Sequence, residues 1–221
     1  MGRTFKLIKD YYDLGFDLFN KRTININEGV TVLVGCNGTG KTTLLNEINN
    51  QLNRENVPHI FYNNKLDGGR ASMDSLLFYG RMQELAQRAF SSEGEEIVLN
   101  FGDFISRVRD FYKTGRSFRS YKEPNPEHKE RWILFDAVDS GMSIDNMKEI
   151  KEIFELMIED GKKQNLEVYI IISTNSFEFA KDSVCLDVTN LKYRTFKSYN
   201  AYSNFIMNSK INKNKRYEER N

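Results

Sequence analysis

The chain alternates short apolar runs with segments whose apolar residues recur at helical spacing. Apolar runs of this length predict buried strands. They occupy residues 31–34, 59–62, 132–135 and 168–172. Apolar residues three or four positions apart predict amphipathic helices over residues 41–52 and 144–161. Because strands that alternate with helices are typical of parallel sheets covered by helices, we predict an α/β fold with a mainly parallel central sheet flanked by helices.

The segment between the second and third strands carries a helical pattern of its own. One helical stretch is predicted over residues 66–90. A second begins at Ser91 or Ser92 and runs to Tyr112. Residues 113–131 are polar and contain two prolines, so they predict a surface connection.

Length and the lack of a linker indicate one domain. The chain has 221 residues, and no Pro-, Gly- or Ser-rich stretch divides it. We predict a single domain over residues 1–209, with a small helical subdomain at about 66–130. Residues 210–221 are rich in Lys, Asn and Glu, and this charged tail is expected to be either frayed or a solvated helix.

Charge, cysteine content and hydropathy limit the functions that are compatible with this sequence. The 32 Lys and Arg residues nearly balance the 31 Asp and Glu residues, so any contact with DNA must be local rather than driven by net charge. Cys36 and Cys185 lie in segments of different character and indicate neither a disulfide nor a metal cluster. The sequence has no apolar run of about 18 residues and no signal-peptide core. We therefore expect a soluble, cytoplasmic protein with no membrane partner.

A phosphate-binding motif directly follows the first strand. Gly35, Gly40, Lys41 and Thr42 fit the pattern G-x-x-x-x-G-K-[ST]. Glycines let the backbone wrap closely around a phosphate, so that its N–H groups and the next helix N-terminus point at negative charge. In such a loop the lysine reaches the β- and γ-phosphates, and the hydroxyl after it ligates Mg²⁺. The predicted nucleotide-binding residues are Gly35, Asn37, Gly38, Thr39, Gly40, Lys41, Thr42 and Thr43.

An acidic residue is expected to share the metal with Thr42. NTPases with this loop place an acidic residue at the end of a buried strand, where it holds the magnesium ion. Asp136 directly follows the apolar run 132–135. Thr42 and Asp136 are therefore the predicted metal-binding residues.

Three further segments resemble those of ABC-class ATPases. Residues 136–143, DAVDSGMS, resemble the family's D-E-P-x-S-G-L-[SD] stretch with its D-loop. Residues 91–95, SSEGE, resemble the signature L-S-G-G-[QE], although the same letters are also typical of a helix N-cap with a capping box. Residues 172–176, ISTNS, resemble the switch segment that normally reads T-H-S. Together with the loop, the resemblance spans residues 30–176.

The arrangement resembles the small stand-alone ABC-class P-loop ATPases of the SMC/RecF branch, of the kind found in phages and mobile elements. The stretch between loop and signature is short and has no sustained heptads, which excludes a long-armed SMC chain. Glu93 in the signature and the lack of the usual glutamine after the second strand disfavour a transporter ATPase. Asn63 and Asn64 stand near that glutamine position and either ligate the metal or make the turn.

The resemblance implies ATP and Mg²⁺ as cofactors and a homodimer that forms on ATP binding. In such head-to-tail dimers each ATP lies between the phosphate loop of one chain and the signature of the other. Ser92 and Gly94 would then contact the γ-phosphate held by the partner chain.

Two departures from the family pattern point to weak ATPase activity. Ala137 replaces the glutamate that polarises the attacking water, and Asn175 replaces the switch histidine. A methyl group cannot act as a base, and an amide can bond a phosphate but cannot carry a proton. Asp139 is either a substitute base or a structural or interface residue. We expect hydrolysis to be slow or absent, with Lys41, Asp136, Asp139 and Asn175 as the candidate catalytic residues.

Three functions fit these features. The first is an ATP-dependent dimer that acts as a switch or clamp, for which duplex DNA is a candidate effector. The local positive charge for it would come from Lys113, Arg116, Arg119, Lys122, Lys210, Lys213, Lys215 and Arg216. The second is an ATP-binding regulatory subunit that docks on a partner protein such as a nuclease or a host factor, and the third is a competent ATPase that uses Asp139 as its base.

Overall fold

The computed structural model describes residues 2–8, 18–63, 104, 107–116 and 128–218, except for the side chains of 63 and 216–218. Its strands are β1 (Gly2–Lys6), β2 (Thr23–Asn27), β3 (Gly29–Val34), β4 (His59–Asn63), β5 (Glu130–Asp136), β6 (Glu167–Ser173), β7 (Cys185–Asp187) and β8 (Lys192–Arg194). Its helices are α1 (Lys41–Arg54), α2 (107–114), α3 (Ile144–Lys163), α4 (Phe177–Ala180) and α5 (Tyr199–Glu218). Within these residues, no helix is both long enough and apolar enough to cross a bilayer.

Six of the described strands form one sheet in the spatial order β4-β5-β6-β3-β7-β8. The pairs from β4 to β7 are parallel, and β8 is antiparallel to β7. β1 and β2 form a separate antiparallel pair. The predicted α/β fold with a mainly parallel sheet is therefore confirmed.

Both faces of the sheet are buried, because alternate residues of the central strands enter two different cores. In β6, Ile170 and Ile172 lie in one core, whereas Tyr169 and Ile171 lie in the other. The first core contains residues of α2, α3 and α5, and the second contains residues of α1, β1 and β2. Two buried faces explain why these strands read as continuous apolar runs.

Aromatic contacts tie the β1–β2 pair to the central strands. The rings of Trp132 and Tyr169, which are register neighbours in β5 and β6, stack with their centroids 4.0 Å apart. Phe5 of β1 meets the edge of Trp132 at 5.1 Å. This contact places the small sheet over the second core, on the same side as α1.

The four predicted strands and the helices at 41–52 and 144–161 are confirmed, with shifts of one or two residues at their ends. The predicted surface connection 113–131 is wrong at both ends. Residues 113–114 continue α2, and residues 130–131 belong to β5. Arg131 is buried there because its guanidinium donates hydrogen bonds to the Phe111 and Tyr112 carbonyls.

The remaining sequence predictions concern the helical segments between the second and third predicted strands, and the charged tail. The predicted helix at 66–90 and the predicted start at Ser91 or Ser92 lie outside the described residues, as does most of the predicted subdomain. α5 runs without a break from Tyr199 to Glu218, so residues 210–218 are helical. The sequence patterns missed β1, β2, β7, β8, α4 and the first half of α5.

Candidate functional site

The carboxyl ends of three neighbouring strands bring the candidate residues together. The phosphate loop, residues 35–40, follows β3, whereas Asp136 ends β5 and Asn175 comes just after β6. Because β5, β6 and β3 are adjacent and parallel, these segments meet at one edge of the sheet. Ligands of open α/β sheets bind at this edge. The three segments line a cleft of about 330 Å³.

The phosphate loop requires glycine at two positions. Gly40 has a φ of 100°, and a Cβ there would lie 2.9 Å from Cδ2 of Leu18. A Cβ at Gly35 would lie 2.6 Å from Oγ1 of Thr39, which itself donates a hydrogen bond to the Cys36 carbonyl. Gly40 is also the N-cap of α1 and supplies no side-chain cap. The first N–H groups of α1 are therefore left for an anion.

Lys41 is held against the loop by neutral acceptors. Its Nζ donates hydrogen bonds to the carbonyls of Gly35 at 2.7 Å and Cys36 at 3.3 Å, and to Oδ1 of Asn175 at 2.9 Å. Burial lowers the pKa of Lys41, and acidic groups around it act in the opposite direction. Since charged acceptors bind an ammonium group more strongly than neutral ones, a phosphate oxygen would replace these partners favourably.

Thr42 and Asp136 form the polar end of the cleft. The Thr42 hydroxyl lies 3.0 Å and 3.1 Å from the two carboxylate oxygens of Asp136. Ser173 donates a hydrogen bond of 2.7 Å to Oδ1 of Asp136 and accepts one of 3.1 Å from the Ala137 N–H. Ser173 therefore fixes the orientation of the Asp136 carboxylate, which is buried at the end of β5.

Asp139 is engaged by the switch segment. Its Oδ2 accepts a hydrogen bond of 2.9 Å from the Asn175 N–H, so the carboxylate holds the backbone that presents the Asn175 amide to Lys41. Ala137 also lines the cleft, with a φ of 53°, and offers only a methyl group. The geometry gives Asp139 a positioning contact and gives Ala137 no group that could act on water.

The last helix contacts both segments that line the cleft. The Tyr202 hydroxyl donates a hydrogen bond of 2.9 Å to the Asn175 carbonyl. Ser209 accepts one of 3.2 Å from the Cys36 N–H, and Lys213 Nζ donates one of 3.3 Å to the Asn37 carbonyl. α5 therefore braces the phosphate loop and the switch segment from outside the sheet.

Most of the predicted site residues are assembled in the structure. The cleft is lined by these predicted residues: Asn37, Gly38, Gly40, Lys41, Thr42, Thr43, Asp136, Asp139 and Asn175. Gly35 and Thr39 shape the loop through the contact described above. Asn63 ends β4 beside Asp136 in the register, whereas Asn64, Ser92 and Gly94 lie outside the described residues.

Several contributors to the site were not among the predicted site residues. They include Leu18, Ser173, Thr174, Tyr202, Ser209 and Lys213. Ser173 had a signal, because it directly follows an apolar run just as Asp136 does. Ser209 and Lys213 continue the inward face of α5 from Tyr202 at helical spacing, but nothing in the sequence indicates that this face meets the phosphate loop.

Comparison with known families identifies the class of domain. A family model described as an AAA domain matches residues 24–178, most of the chain, including the phosphate loop, Asp136 and Asn175. The chain belongs to the AAA domain family. No curated protein sequence matches this AAA-domain chain.

Two solved structures resemble the AAA-domain chain at low identity. One is a nucleotide-free ATP-binding cassette from an ABC transporter, with 12% identity, a TM-score of 0.49 and 94% of each chain covered. The other is cbiO1 from Clostridium perfringens, part of the ABC transporter complex cbiONQ, with 18% identity, a TM-score of 0.45 and 78% of each chain covered. The family match and the strand order confirm the predicted P-loop NTPase fold. The narrower SMC/RecF branch stays a prediction.

Proposed function

We propose that this AAA-domain protein binds Mg-ATP and acts as a nucleotide-gated switch or clamp, with slow or absent hydrolysis. The observation that carries the proposal is the convergence of Lys41, Thr42, Asp136 and Asn175 on one cleft beside the phosphate loop. These groups come from three strand ends, and each matches a chemical requirement of a bound triphosphate: a cation, two metal ligands and a neutral hydrogen-bonding amide. The choice of ATP over other nucleotides follows from the sequence resemblance.

The polar end of the cleft fits a magnesium ion. Thr42 and Asp136 offer a hydroxyl and a carboxylate side by side, and Mg²⁺ prefers such oxygen donors. Among the described residues, no three His, Cys, Asp or Glu side chains converge on one point. Mg²⁺ commonly takes one or two protein ligands and completes its shell with phosphate oxygens and water, so this donor set suits a metal that arrives with a nucleotide. When bound, the ion would neutralise part of the phosphate charge.

Slow hydrolysis is proposed because the described residues that line the cleft provide no free general base. Ala137 has no proton acceptor, and the Asn175 amide cannot act as a general acid or base near neutral pH. Asp139 has a carboxylate, but one of its oxygens is already bonded to the Asn175 N–H. A nucleotide that is bound and rarely hydrolysed keeps the bound conformation populated, as a switch or clamp requires.

The bound state in this proposal is a head-to-tail homodimer. It rests on the resemblance of residues 91–95 to the ABC signature, whose Ser92 and Gly94 would complete the site of the partner chain. Light scattering with and without Mg-ATP tests whether this homodimer forms. A nucleotide-dependent doubling of mass, absent in Ser92→Arg, supports the dimer, whereas a constant monomer mass contradicts it.

Duplex DNA is the proposed effector. Lys113 and Arg116 are exposed at and just beyond the end of α2, and exposed basic side chains neutralise phosphates in a salt-dependent way. The proposal therefore expects DNA affinity that requires ATP and falls as salt rises. A partner protein recovered only in the presence of ATP, with no DNA binding, would favour the regulatory-subunit function instead.

The first test is Mg-ATP binding and steady-state hydrolysis by the purified protein, with and without duplex DNA. We expect ATP binding that is lost in Lys41→Met, together with little turnover in either condition. Turnover that depends on Lys41 and is accelerated by DNA would contradict the slow-hydrolysis part of the proposal. The absence of nucleotide binding by the wild-type protein would overturn the proposal as a whole.

A further inference from the structure

The cleft has little positive charge for the ligand it is proposed to hold. Among the described residues that line it, Lys41 is the one cationic side chain, and Asp136 and Asp139 are both acidic. A magnesium-bound nucleoside triphosphate keeps a net negative charge, and Asp139, which is not one of the proposed metal ligands, repels it. A further cation close to the loop would reduce this repulsion.

Lys213 supplies such a charge from the last helix. Its Nζ lies 3.3 Å from the carbonyl oxygen of Asn37. The same side chain lies over Gly38, because a Cβ built on that glycine would be 3.6 Å from Lys213 Cδ and 3.7 Å from Nζ. Asn37 and Gly38 both line the cleft, so the ammonium group rests against the part of the loop that is expected to take the phosphates.

The position of Lys213 is fixed by the rest of α5. One helical turn earlier, the buried Ser209 accepts a hydrogen bond from the Cys36 N–H of the loop. Further back, Tyr202 bonds the switch segment and packs edge-on against Phe196, with the ring centroids 5.2 Å apart. The helix is thus anchored at two positions, Tyr202 and Ser209, and its buried, hydrogen-bonded face places Lys213 against the loop.

We propose that Lys213 is a second cationic residue of the nucleotide site and that it favours a nucleoside triphosphate over the corresponding diphosphate. The inference rests on the proposed nucleotide function. A positive charge stabilises the ligand with more negative charge more strongly, so loss of the Lys213 charge weakens triphosphate binding more than diphosphate binding. A residue that only held the loop in shape would affect both ligands alike.

The experiment measures the affinities of the full chain for Mg-ATP and Mg-ADP by calorimetry at low and at raised salt. Lys213→Met removes the charge at similar side-chain length, and Lys213→Arg keeps it. Lys210→Met is the matched control, because Lys210 is an exposed lysine of the same helix and its loss changes the net charge equally. Thermal unfolding of each variant checks that the fold is retained.

We expect Lys213→Met to bind Mg-ATP about threefold to tenfold more weakly at low salt. The effect on Mg-ADP should be smaller, and the difference between the two should shrink as salt screens the charge. Lys213→Arg and Lys210→Met should both behave like the wild-type protein.

Two results would overturn the inference while leaving the proposed function intact. One is unchanged Mg-ATP affinity in Lys213→Met, and the other is an equal loss for both nucleotides. A wild-type protein that binds neither nucleotide would overturn the inference and the proposed function together.

Discussion

The Thr42 hydroxyl lies 3.0 Å from one carboxylate oxygen of Asp136, although 94 positions separate the two residues in the chain. The contact joins the first turn of α1 to the end of β5, and Ser173 of the intervening strand β6 donates a hydrogen bond to the same carboxylate. Three elements therefore fix one pair of oxygen donors. The proposed magnesium site can therefore be tested by replacing Asp136.

Asp136→Asn should remove most of the magnesium dependence of nucleotide binding. The amide can still accept a hydrogen bond from Thr42, but it carries no negative charge for a metal ion. Contacts to charged groups contribute about 1.5–3 kcal/mol, so we expect a loss on the order of tenfold to a hundredfold in affinity for Mg-ATP. Titrations with magnesium and with a chelator measure the effect. Affinity in the chelator should match the wild-type value, and an unchanged response to magnesium in the variant would rule out this role for Asp136.

Nucleotide affinity should fall at alkaline pH because Lys41 loses its proton early. Burial lowers its pKa below the ordinary value of 10.5, and bound phosphate favours the charged form. Affinity therefore decreases as the pH rises through the lowered pKa. Calorimetry from about pH 8 to about pH 10 measures this decrease.

Lys41→Arg is the control for this pH dependence, because a guanidinium group stays charged throughout the range. Its residual affinity should be flat with pH. If the nucleotide affinity of Lys41→Arg falls equally steeply with pH, a group other than Lys41 is responsible for the pH dependence. The linked effect on stability has the opposite sign: because the unfolded chain keeps the proton to higher pH, the free energy of unfolding should rise with pH between the lowered pKa and 10.5.

Ala137→Glu should raise the hydrolysis rate. The residue lines the cleft next to Asp136, and its left-handed φ of 53° already accommodates a Cβ. A well-placed general base contributes about 100-fold or more to such reactions. Single-turnover assays measure the gain, and Ala137→Gln is the control of matched size. If Glu and Gln give the same rate, the missing carboxylate at this position is not what limits hydrolysis.

Two variants of Asp139 separate a positioning role from a base role. Asp139→Asn keeps an oxygen that can accept the Asn175 N–H bond, but it cannot take a proton at neutral pH. As a positioning residue, Asp139 should tolerate Asn and lose nucleotide affinity on Asp139→Ala, by about fivefold to tenfold for one hydrogen bond. Binding and residual turnover are measured for both variants. Unchanged affinity in both variants with loss of turnover in both would instead identify Asp139 as the base.

Gly161→Ala should destabilise the fold. A Cβ at Gly161 on α3 would lie 2.1 Å from Cγ2 of Val168 on β6, so either the Val168 side chain or the helix must shift. Overpacking of this kind costs about 1–3 kcal/mol, measurable as a shift in the urea unfolding midpoint. Val168→Ala removes the clashing methyl group, and the double variant should be less destabilised than the sum of the two single changes. If the effects of the two changes on the free energy of unfolding are strictly additive, a clash with Val168 is not the cause of the destabilisation.

Much of the fold could be predicted from single elements. The runs 132–135 and 168–172 are buried on both faces, and their composition shows it without any knowledge of neighbours. Two of the missed strands, β7 and β8, are different in kind. β7 and β8 each have three residues, which is too short for a periodic pattern, so their pairing with the sheet edge depends on the rest of the fold.

The phosphate loop and the candidate metal pair could be predicted from the sequence alone. Residues 35–42 are contiguous, and their chemistry depends on residue types at fixed spacing. Both the residue types and the spacing are visible in the sequence. Asp136 was found because a strand end is a local feature. Such properties need no tertiary information.

Which distant residues meet the loop and the switch segment depends on the tertiary structure. The order β5-β6-β3 places Asp139 against the Asn175 N–H, and the packing of α5 brings Ser209 and Lys213 onto the loop. These contacts depend on the order of strands and on the face that a helix buries. Apolar periodicity predicts that a face is buried but does not specify its partner, because many partners bury the same apolar area equally well.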